Sequence, residues 1–330
     1  MNQDNRKKIV AIINPISGTS KKTNLPELVK RTIDDTRFDV EIVFTEAAGH
    51  ATELAAQAAA DGAYAVMAIG GDGTVNEVGR ALCDTATAMA IIPCGSGNGL
   101  ARHLRLPMNV EHALRNVNDA EVIDADYATV NGKPFFCTCG TGFDAKVSHA
   151  FAEAGQRGLI TYGRTTVAEF FKVKPQKCRI EIDGEAFEEE AFDITCCNAS
   201  QFGNNCYVAP HATICDGVLD LTIIREITMP LGLDPIVQKI ANTIGGDNNT
   251  VLRRLLSLPA GIELLARMFT RSLRDSNSVT IRQGQHIVID RPTADVIHID
   301  GDPTEMPARL QIDIHPKAIK LLVSGNIEKI

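Results

Sequence analysis

Apolar and polar positions along this chain follow two different rhythms, and the changeover falls near residue 125. The stretch KIVAIINP is an almost unbroken apolar run, and FDVEIVFTE, AYAVMAIG and AMAIIP repeat it further on. Between these runs lie LPELVKRTIDD, with apolar residues at helical spacing, the alanine-rich GHATELAAQAAADG closed by glycine, and VNEVGRALCD. Near-continuous strands separated by helices predict a parallel sheet covered on both faces. From about Val122 the period drops to two. DADYATVNGKPFFCTCGTGFDAKV carries an Asn-Gly turn between β-like runs, and KCRIEIDGEAFEEEAFDITCCNAS repeats the pattern around Asp-Gly. GVLDLTIIREI, SVTIRQGQHIVIDR, VIHIDGDP and RLQIDIHPKAIKLLV continue it, predicting an antiparallel β-sandwich or barrel. A helical insertion over about 233–273 interrupts the strands. The expected fold class is therefore α/β plus all-β, with domains over 1–125 and 126–330 and a C-terminal segment free to pack back on the first domain.

Each strand of the first domain ends in an unusual loop: NPISGTSKK, TEAAGH, GGDGT and PCGSGNG. Ligands of open parallel sheets sit at the carboxyl ends of strands, so the domain reads as a Rossmann-like nucleotide unit. In GGDGT, Gly70 and Gly71 let the backbone approach a bulky ligand, and Gly73 extends the break. Thr74 can cap a helix beginning at Val75, whose free N–H groups and dipole favour an anion. The loop has no lysine, so it is not a P-loop. Asp72 would repel a bare phosphate; the repulsion disappears if it faces Mg²⁺ or accepts a proton from a reacting hydroxyl. The simpler alternative is a tight turn whose aspartate only caps, and phosphate binding is preferred over it. In PCGSGNGLARHL, Gly95, Gly97 and Gly99 free the backbone, Ser96 offers a hydroxyl, Asn98 can cap, and Arg102 could reach a phosphate. The spacing is not GxGxxG, which excludes the dinucleotide fingerprint. In NPISG, Ser17 and Gly18 suit phosphate wrapping; the nearby Lys21 and Lys22 are of a kind more often solvated.

Taken in order and spacing, NPISG, TEAAGHA, GGDGTVNEV and PCGSGNGLARHL resemble the catalytic domain of the diacylglycerol kinase superfamily. That group includes soluble bacterial lipid kinases and the sphingosine and ceramide kinases. CNASQFGNNCYVAPHATICDGVLDL is similar to the family's segment ending in Pro-x-Ala and then Asp-Gly-Leu-Leu-Asp, and HIDGDP to its C-terminal Asp-Gly-Glu. The resemblance implies ATP contacts at Asn14, Pro15, Ile16, Ser17 and Gly18, at Thr45, at Gly71, Asp72, Gly73, Thr74, Val75, Asn76 and Glu77, and at Ser96. Gly70, Gly95 and Asn98 complete that nucleotide set. It implies a structural Mg²⁺ on the Asp216 side chain and the carbonyls of Leu219 and Leu221, and a base at Asp302, where relatives usually carry glutamate. The departure leaves Asp300 and Asp302 both as candidates, with Asp72 at the reacting edge. Residues 203–205, GNN, stand where relatives often have a run of glycines. GSGNGLA is closer to the sphingosine-kinase form than to the Gly-Thr-Ala-Asn-Asp of bacterial relatives, so the acceptor stays open among diacylglycerol, a sphingoid base, ceramide and another lipid alcohol. The implied activity is an ATP- and Mg²⁺-dependent lipid kinase. Alternatives are an NAD kinase, which shares GGDGT but lacks the GSGN and DGVLDL pair, and a nucleotide- or lipid-binding protein without catalysis.

A lipid acceptor needs a place for its tail. Residues 250–274 place Leu255, Leu256 and Leu258 before a Pro-Gly break, then Ile262, Leu264, Leu265, Met268 and Phe269. Arg253, Arg254, Arg267, Arg271 and Arg274 are interspersed among them. Such a helix either lies on a membrane surface or packs its apolar stripe on the β-domain. His50 reads as a helix-start residue. A net charge of -8 argues against general nucleic-acid binding and leaves room for a local basic patch on anionic lipid. No apolar signal core and no bilayer-length apolar run occur. Nine cysteines without a CxxC, among them Cys137, Cys139, Cys196 and Cys197, read as core residues of a reducing cytosol. The expected location is cytoplasmic, peripheral to the inner face of the membrane. The expected partners are a lipid alcohol and, transiently, the membrane surface, with no nucleic acid; a homodimer stays open.

Overall fold

A computed structural model describes residues 6–17, 24–154, 159–226 and 248–324. The first part runs β1 (Lys7–Ile13), α1 (Leu25–Thr32), β2 (Phe38–Phe44), α2 (His50–Ala60), β3 (Ala65–Gly70), α3 (Asp72–Leu82), β4 (Ala88–Pro93), α4 (Gly99–His103) and α5 (Val110–Asn118). Its strands are parallel in the order β2-β1-β3-β4. Because side chains alternate across a strand, each strand feeds two cores. Ile12, Val66, Ala68 and Met89 pack with Ala51 and Ala55 of α2 and Val78 of α3 on one face. Ile9, Ala11, Met67 and Ile69 pack with Val29 of α1 and Leu114 of α5 on the other. Burial on both faces is why these runs carry almost no polar residue.

The second part comprises β5 (Glu121–Val130), β6 (Lys133–Phe135), β7 (Thr138–Gly142), α6 (Phe143–Glu153), α7 (Leu159–Lys172), β8 (Gln176–Ile182), β9 (Glu185–Ala191), β10 (Asp193–Cys197) and β11 (Leu219–Ile224). Then follow α8 (Asn248–Phe269), β12 (Val279–Gly284), β13 (His286–Asp290), β14 (Asp295–Ile299), β15 (Asp302–Met306) and β16 (Arg309–Val323). The two predicted hairpins form at Asn131-Gly132 and Asp183-Gly184, all four residues having positive φ as a type I′ turn demands. One antiparallel sheet has the order β12-β11-β10-β7-β14-β15. Its inner residues Ile194, Cys196, Leu221 and Ile297 meet Ile180, Ile287 and Ile312 of the other sheet, forming the expected sandwich.

The two halves are not independent layers. β16 pairs antiparallel with β13 and β5, bulges between His315 and Ile319, and brings Leu321 beside Met89 of β4 in parallel. The parallel strands and half of the sandwich thus form one ten-stranded sheet, and residue 125 lies inside β5.

Two local readings are corrected. FDAKV, which its alternation places in a β-run, is the start of α6: Gly142, at φ 110, turns the chain out of β7, and α6 then packs on β7, β14 and β15 with α7 against α6. The Pro-Gly step does not break α8, which runs through Pro259. That residue is on the exposed side, where water can serve the carbonyl left without a partner. Residues 227–247 of the expected insertion, and the side chains of Arg253, Arg254, Leu255 and Leu256, lie outside the described ones.

Arg291 locks the hairpin β14–β15 in place. Its buried guanidinium donates to Thr141 Oγ1 at 3.0 Å, Asp295 O at 3.1 Å, Met306 O at 3.0 Å and Pro307 O at 2.7 Å. Arg291→Met strands those acceptors without a donor and is expected to cost about 2–4 kcal/mol, read from urea denaturation.

Candidate active site

All four loops are tied by side chains to the glycine loop after β3 or to the helix it opens. Gly70 ends β3 where an added Cβ would lie 2.4 Å from Thr74 Cβ, so only glycine fits. α3 begins at Asp72, with Gly71 at its cap, rather than at Val75. Thr74 therefore does not cap: it is buried in the first turn, and its Oγ1 accepts from Asn14 Nδ2 at 3.0 Å. Asn14 Oδ1 accepts the Ile16 N–H at 3.1 Å, and Ser17 Oγ donates to Asn14 O at 3.1 Å, which shapes the first loop. Pro15 and Ile16 are exposed at its tip; Gly18, Lys21 and Lys22 lie outside the described residues. Thr45 is buried, its N–H on Ile13 O at 3.0 Å. Glu77 reaches back from α3, accepting the Gly49 N–H at 2.9 Å and the Ala51 N–H at 3.2 Å, and so caps α2. His50 starts that helix, as expected.

Asp72 resolves its own oddity. Its Oδ2 accepts the Asn98 N–H at 2.8 Å and its Oδ1 the Gly99 N–H at 2.7 Å, so it caps α4 from the neighbouring loop. Asn98 stands at the cap position of α4 without capping it. It has φ 49, and its side chain instead closes on Gly95, with Oδ1 accepting from N at 3.0 Å and Nδ2 donating to O at 2.8 Å. A Cβ on Gly97 would sit 2.8 Å from Asp72 Oδ2, and one on Gly95 2.8 Å from Gly71 Cα. These glycines are required by loop-to-loop contact. Ser96 is exposed at the apex. Arg102 is turned to the loop itself, its Nε donating to Gly97 O at 2.9 Å. The Asn204 N–H donates to the same oxygen at 3.2 Å. Asn204 and Asn205 adopt φ of 49 and 60, a region that asparagine enters more readily than most side chains, which explains how GNN replaces a glycine run.

The DGD turn closes the cleft from the second sheet. Asp300 Oδ1 accepts the Cys137 and Thr138 N–H groups at 2.7 and 3.0 Å; its Oδ2 accepts the Phe136 N–H at 2.9 Å and Asn76 Nδ2 at 2.7 Å. Burial pushes this carboxyl above the usual aspartate range, although the four hydrogen bonds draw it down. Asp300 is thus a clamp between α3 and the start of β7. Asp302 opens β15 with its surface exposed. Crowding by the surrounding protein raises its carboxyl, Asp300, Asp72 and Glu77 raise it further, and Arg80 lowers it. Leu100, Phe136 and Phe202 line the cleft beside Asp72, Asn76 and Asp300, along with Val75. Among the described lining residues none is cationic.

The expected cation ligands lie away from this cleft lining. Asp216 is exposed on the turn before β11, its Oδ1 accepting the Val218 N–H at 3.2 Å, while Leu219 and Leu221 are buried within β11. Two residues apart on a strand, their carbonyls share one edge. Burial raises the Asp216 carboxyl, with Asp126 adding to it; Asp220 is pushed up to about 6 by burial, with Asp216 contributing. Among the described residues no three His, Cys, Asp or Glu side chains form a metal-holding group, so a cation here would depend on main-chain oxygens. A carboxylate with carbonyls at an electronegative turn fits a hard divalent cation.

Residues 8–130 match the diacylglycerol kinase catalytic domain, and residues 137–242 the YegS C-terminal NAD kinase beta sandwich-like domain. A diacylglycerol kinase of Mycobacterium tuberculosis is 31% identical over 229 residues, covering 66% of this chain and 74% of that protein. The chain belongs to the diacylglycerol kinase family. An uncharacterized Synechocystis protein, sll0036, is 28% identical over 261 residues, which are 73% of this chain and 59% of that longer relative. The crystal structure of a diacylglycerol kinase from Bacillus anthracis superposes with a TM-score of 0.67 at 21% identity, covering 98% of each chain, and so shares the fold.

The structure adds residues to the cleft that the glycine-loop motifs do not contain. Phe136 and Phe202 form apolar walls of the cleft. Asn198, buried, donates through Nδ2 to Asp126 O at 3.0 Å and Phe136 O at 2.9 Å. The only signal for it was its place just after the strand DITCC, which the fold buries throughout.

Proposed function

We propose that the protein transfers the γ-phosphate of ATP, with Mg²⁺, to the hydroxyl of a diacylglycerol or sphingoid-type lipid. One observation carries the reading: the Asn76–Asp300 hydrogen bond joins the glycine-loop helix to the DGD turn across 224 residues, so the turn that carries the exposed Asp302 meets the glycine loops at a cleft lined by Asp72 and Asp300. ATP lies along the loops at the carboxyl ends of β1, β3 and β4, held by backbone N–H groups that the glycines leave accessible. Asp302 accepts the proton of the attacking hydroxyl, and its raised carboxyl makes it a better base than an ordinary aspartate. Asp72 keeps the two glycine loops in register. Each of its oxygens accepts one N–H, and a carboxylate oxygen has room for a second partner. Mg²⁺, when bound, neutralises phosphate charge that the cleft's own side chains do not. Leu100, Phe136 and Phe202 give the acceptor an apolar wall. Purified protein with ATP, Mg²⁺ and a panel of lipids should yield phosphorylated lipid by mass spectrometry, with NAD as the control acceptor. No turnover on any diacylglycerol or long-chain base would sink the reading.

The Asp216 turn supplies a separate check on the cation. A carboxyl raised in the folded state binds more protons than in the unfolded chain between the two pKa values. Asp220, pushed up to about 6, therefore favours folding more as pH falls from 7 toward 5, and the raised Asp216 acts in the same direction. Thermal melts should show that trend without metal, and millimolar Mg²⁺ should raise the melting temperature more at pH 7 than at pH 5. Equal shifts at both values would contradict a site at this turn.

Contact with the inner membrane face belongs to the same proposal. Val167, Ile262, Leu265 and Phe269 are exposed apolar residues on α7 and α8. Beside them His211, Arg267, Arg271 and Arg274 line a basic hollow, a local exception on a chain of net charge -8. Among the described residues no helix is long and apolar enough to cross a membrane. Sedimentation with phosphatidylglycerol vesicles should be salt-sensitive and weakened by Phe269→Ser and Arg274→Glu.

A further inference from the structure

Behind the DGD turn lies a buried polar set that phosphoryl transfer as described above does not use. His298, 1% exposed, places Nε2 at 2.8 Å from Asp144 Oδ2 at the start of α6. Thr195 Oγ1 bridges the same oxygen, at 2.8 Å, and Asp193 Oδ2, at 3.0 Å. Asp193 Oδ1 in turn accepts the Asp144 N–H at 2.9 Å. The set fills space that only a glycine leaves open. A Cβ on Gly140 would stand 2.1 Å from Asp144 Oδ2 and 2.6 Å from His298 Nε2.

The two carboxyls divide their protons unequally. Burial pushes Asp144 up, but the adjacent His298 and hydrogen bonds from His298, Asp193 and Thr195 overcome it and hold it below the usual range. Asp193 has no histidine beside it; burial and the charge on Asp144 raise it well above that range despite its bonds from Thr195 and the Asp144 N–H. Asp144 is then the ionised member and accepts from Nε2–H. The Gly301 N–H donates to Nδ1 at 3.4 Å, so Nδ1 is the accepting nitrogen and Nε2 the one that carries the hydrogen toward Asp144. Gly301 is the residue between the clamp Asp300 and the exposed Asp302. Phe202 meets the imidazole edge-on at 5.6 Å and also lines the cleft, so the ring has little freedom to turn.

We propose that Asp144 and His298 are a positioning pair: Asp144 selects the imidazole tautomer, and Nδ1 holds the Gly301 amide so that Asp302 is aimed at the acceptor hydroxyl. The proposal rests on Asp302 as the base. Asp300 secures its own end of the turn through the strand below, whereas the Gly301 amide is reached only from His298 among the described contacts.

The test uses the full chain with His298→Gln and the nearly isosteric Asp144→Asn, singly and together. Each should lower kcat for lipid phosphorylation roughly 10- to 100-fold with the KM for ATP within about twofold, and the double variant should be no worse than the weaker single one. Hydrogen–deuterium exchange is the second arm and needs no turnover. Amide exchange at Gly301 and Asp302 should quicken in both variants while 136–138, held by Asp300, stays protected. Unchanged exchange at the turn overturns the pair whatever the activity. Loosening that spreads through β7 and α6, or additive losses in the double variant, also overturns it, in favour of a merely structural histidine. Absence of lipid phosphorylation by the unmodified protein counts against the kinase reading alone, and the exchange arm still decides the pair.

Discussion

Asp302→Asn is expected to lower turnover by roughly 10²–10⁴-fold while ATP affinity stays within about twofold. The substitution keeps size and hydrogen-bonding capacity at an exposed turn position and removes only the ability to take a proton. A base works in its deprotonated form, so its raised carboxyl places the acid limb of the kcat profile above the ordinary aspartate range. Arg80 is the cation that restrains the shift, and Arg80→Ala should move that limb to still higher pH. Asp302→Glu should retain much of the activity, since glutamate is the residue that relatives usually carry here. Asp300→Asn separates the two acids. It replaces an acceptor of four donors by a group with one oxygen, and should cost about 2–4 kcal/mol of stability. Radiolabelled ATP turnover, equilibrium ATP binding and urea denaturation distinguish the outcomes. An Asp302→Asn variant with normal kcat would remove this residue from the reaction.

Asp72→Ala should damage folding and nucleotide binding together. The Asn98 and Gly99 N–H groups lose their shared acceptor in a partly buried junction, and each unsatisfied amide costs about 1–3 kcal/mol. The expected loss is about 2–4 kcal/mol in urea denaturation, with ATP affinity down at least about tenfold as the two glycine loops lose register. Asp72→Asn should fall between, because its amide retains one acceptor and turns an N–H₂ toward the other donor. Wild-type stability in Asp72→Ala would show that the clamp does not bind the loops, and normal ATP affinity would show that the loops do not need it.

Much of the fold was legible because its causes are local. A run such as KIVAIINP has no polar face, so it can only be a strand covered on both sides, and Asn131-Gly132 specifies a tight hairpin through positive φ. Glycine loops after successive strands mark the carboxyl edge of the parallel sheet as the expected ligand edge. Reading fell short where local cues were weak or misleading. FDAKV alternates well enough to pass for a strand, and only the turn at Gly142 and packing on the second sheet make it α6. Thr74 and Asn98 had the composition of caps, yet the cap of α4 comes from Asp72 on another loop.

Hydrophobic period, turn chemistry and loop order by themselves determined the fold class and singled out the glycine loops and the acids of the proposed site. Those are properties of neighbouring residues and need no knowledge of where the chain returns. The division of labour among the acids was decided only by tertiary structure. Asp72 is a clamp because β3 and β4 lie side by side; Asp300 is a clamp because β14 brings it beneath residues 136–138. Asp302 is left free two residues later. A carboxylate's role follows from the donors that reach it, and here those donors come from up to 224 residues away.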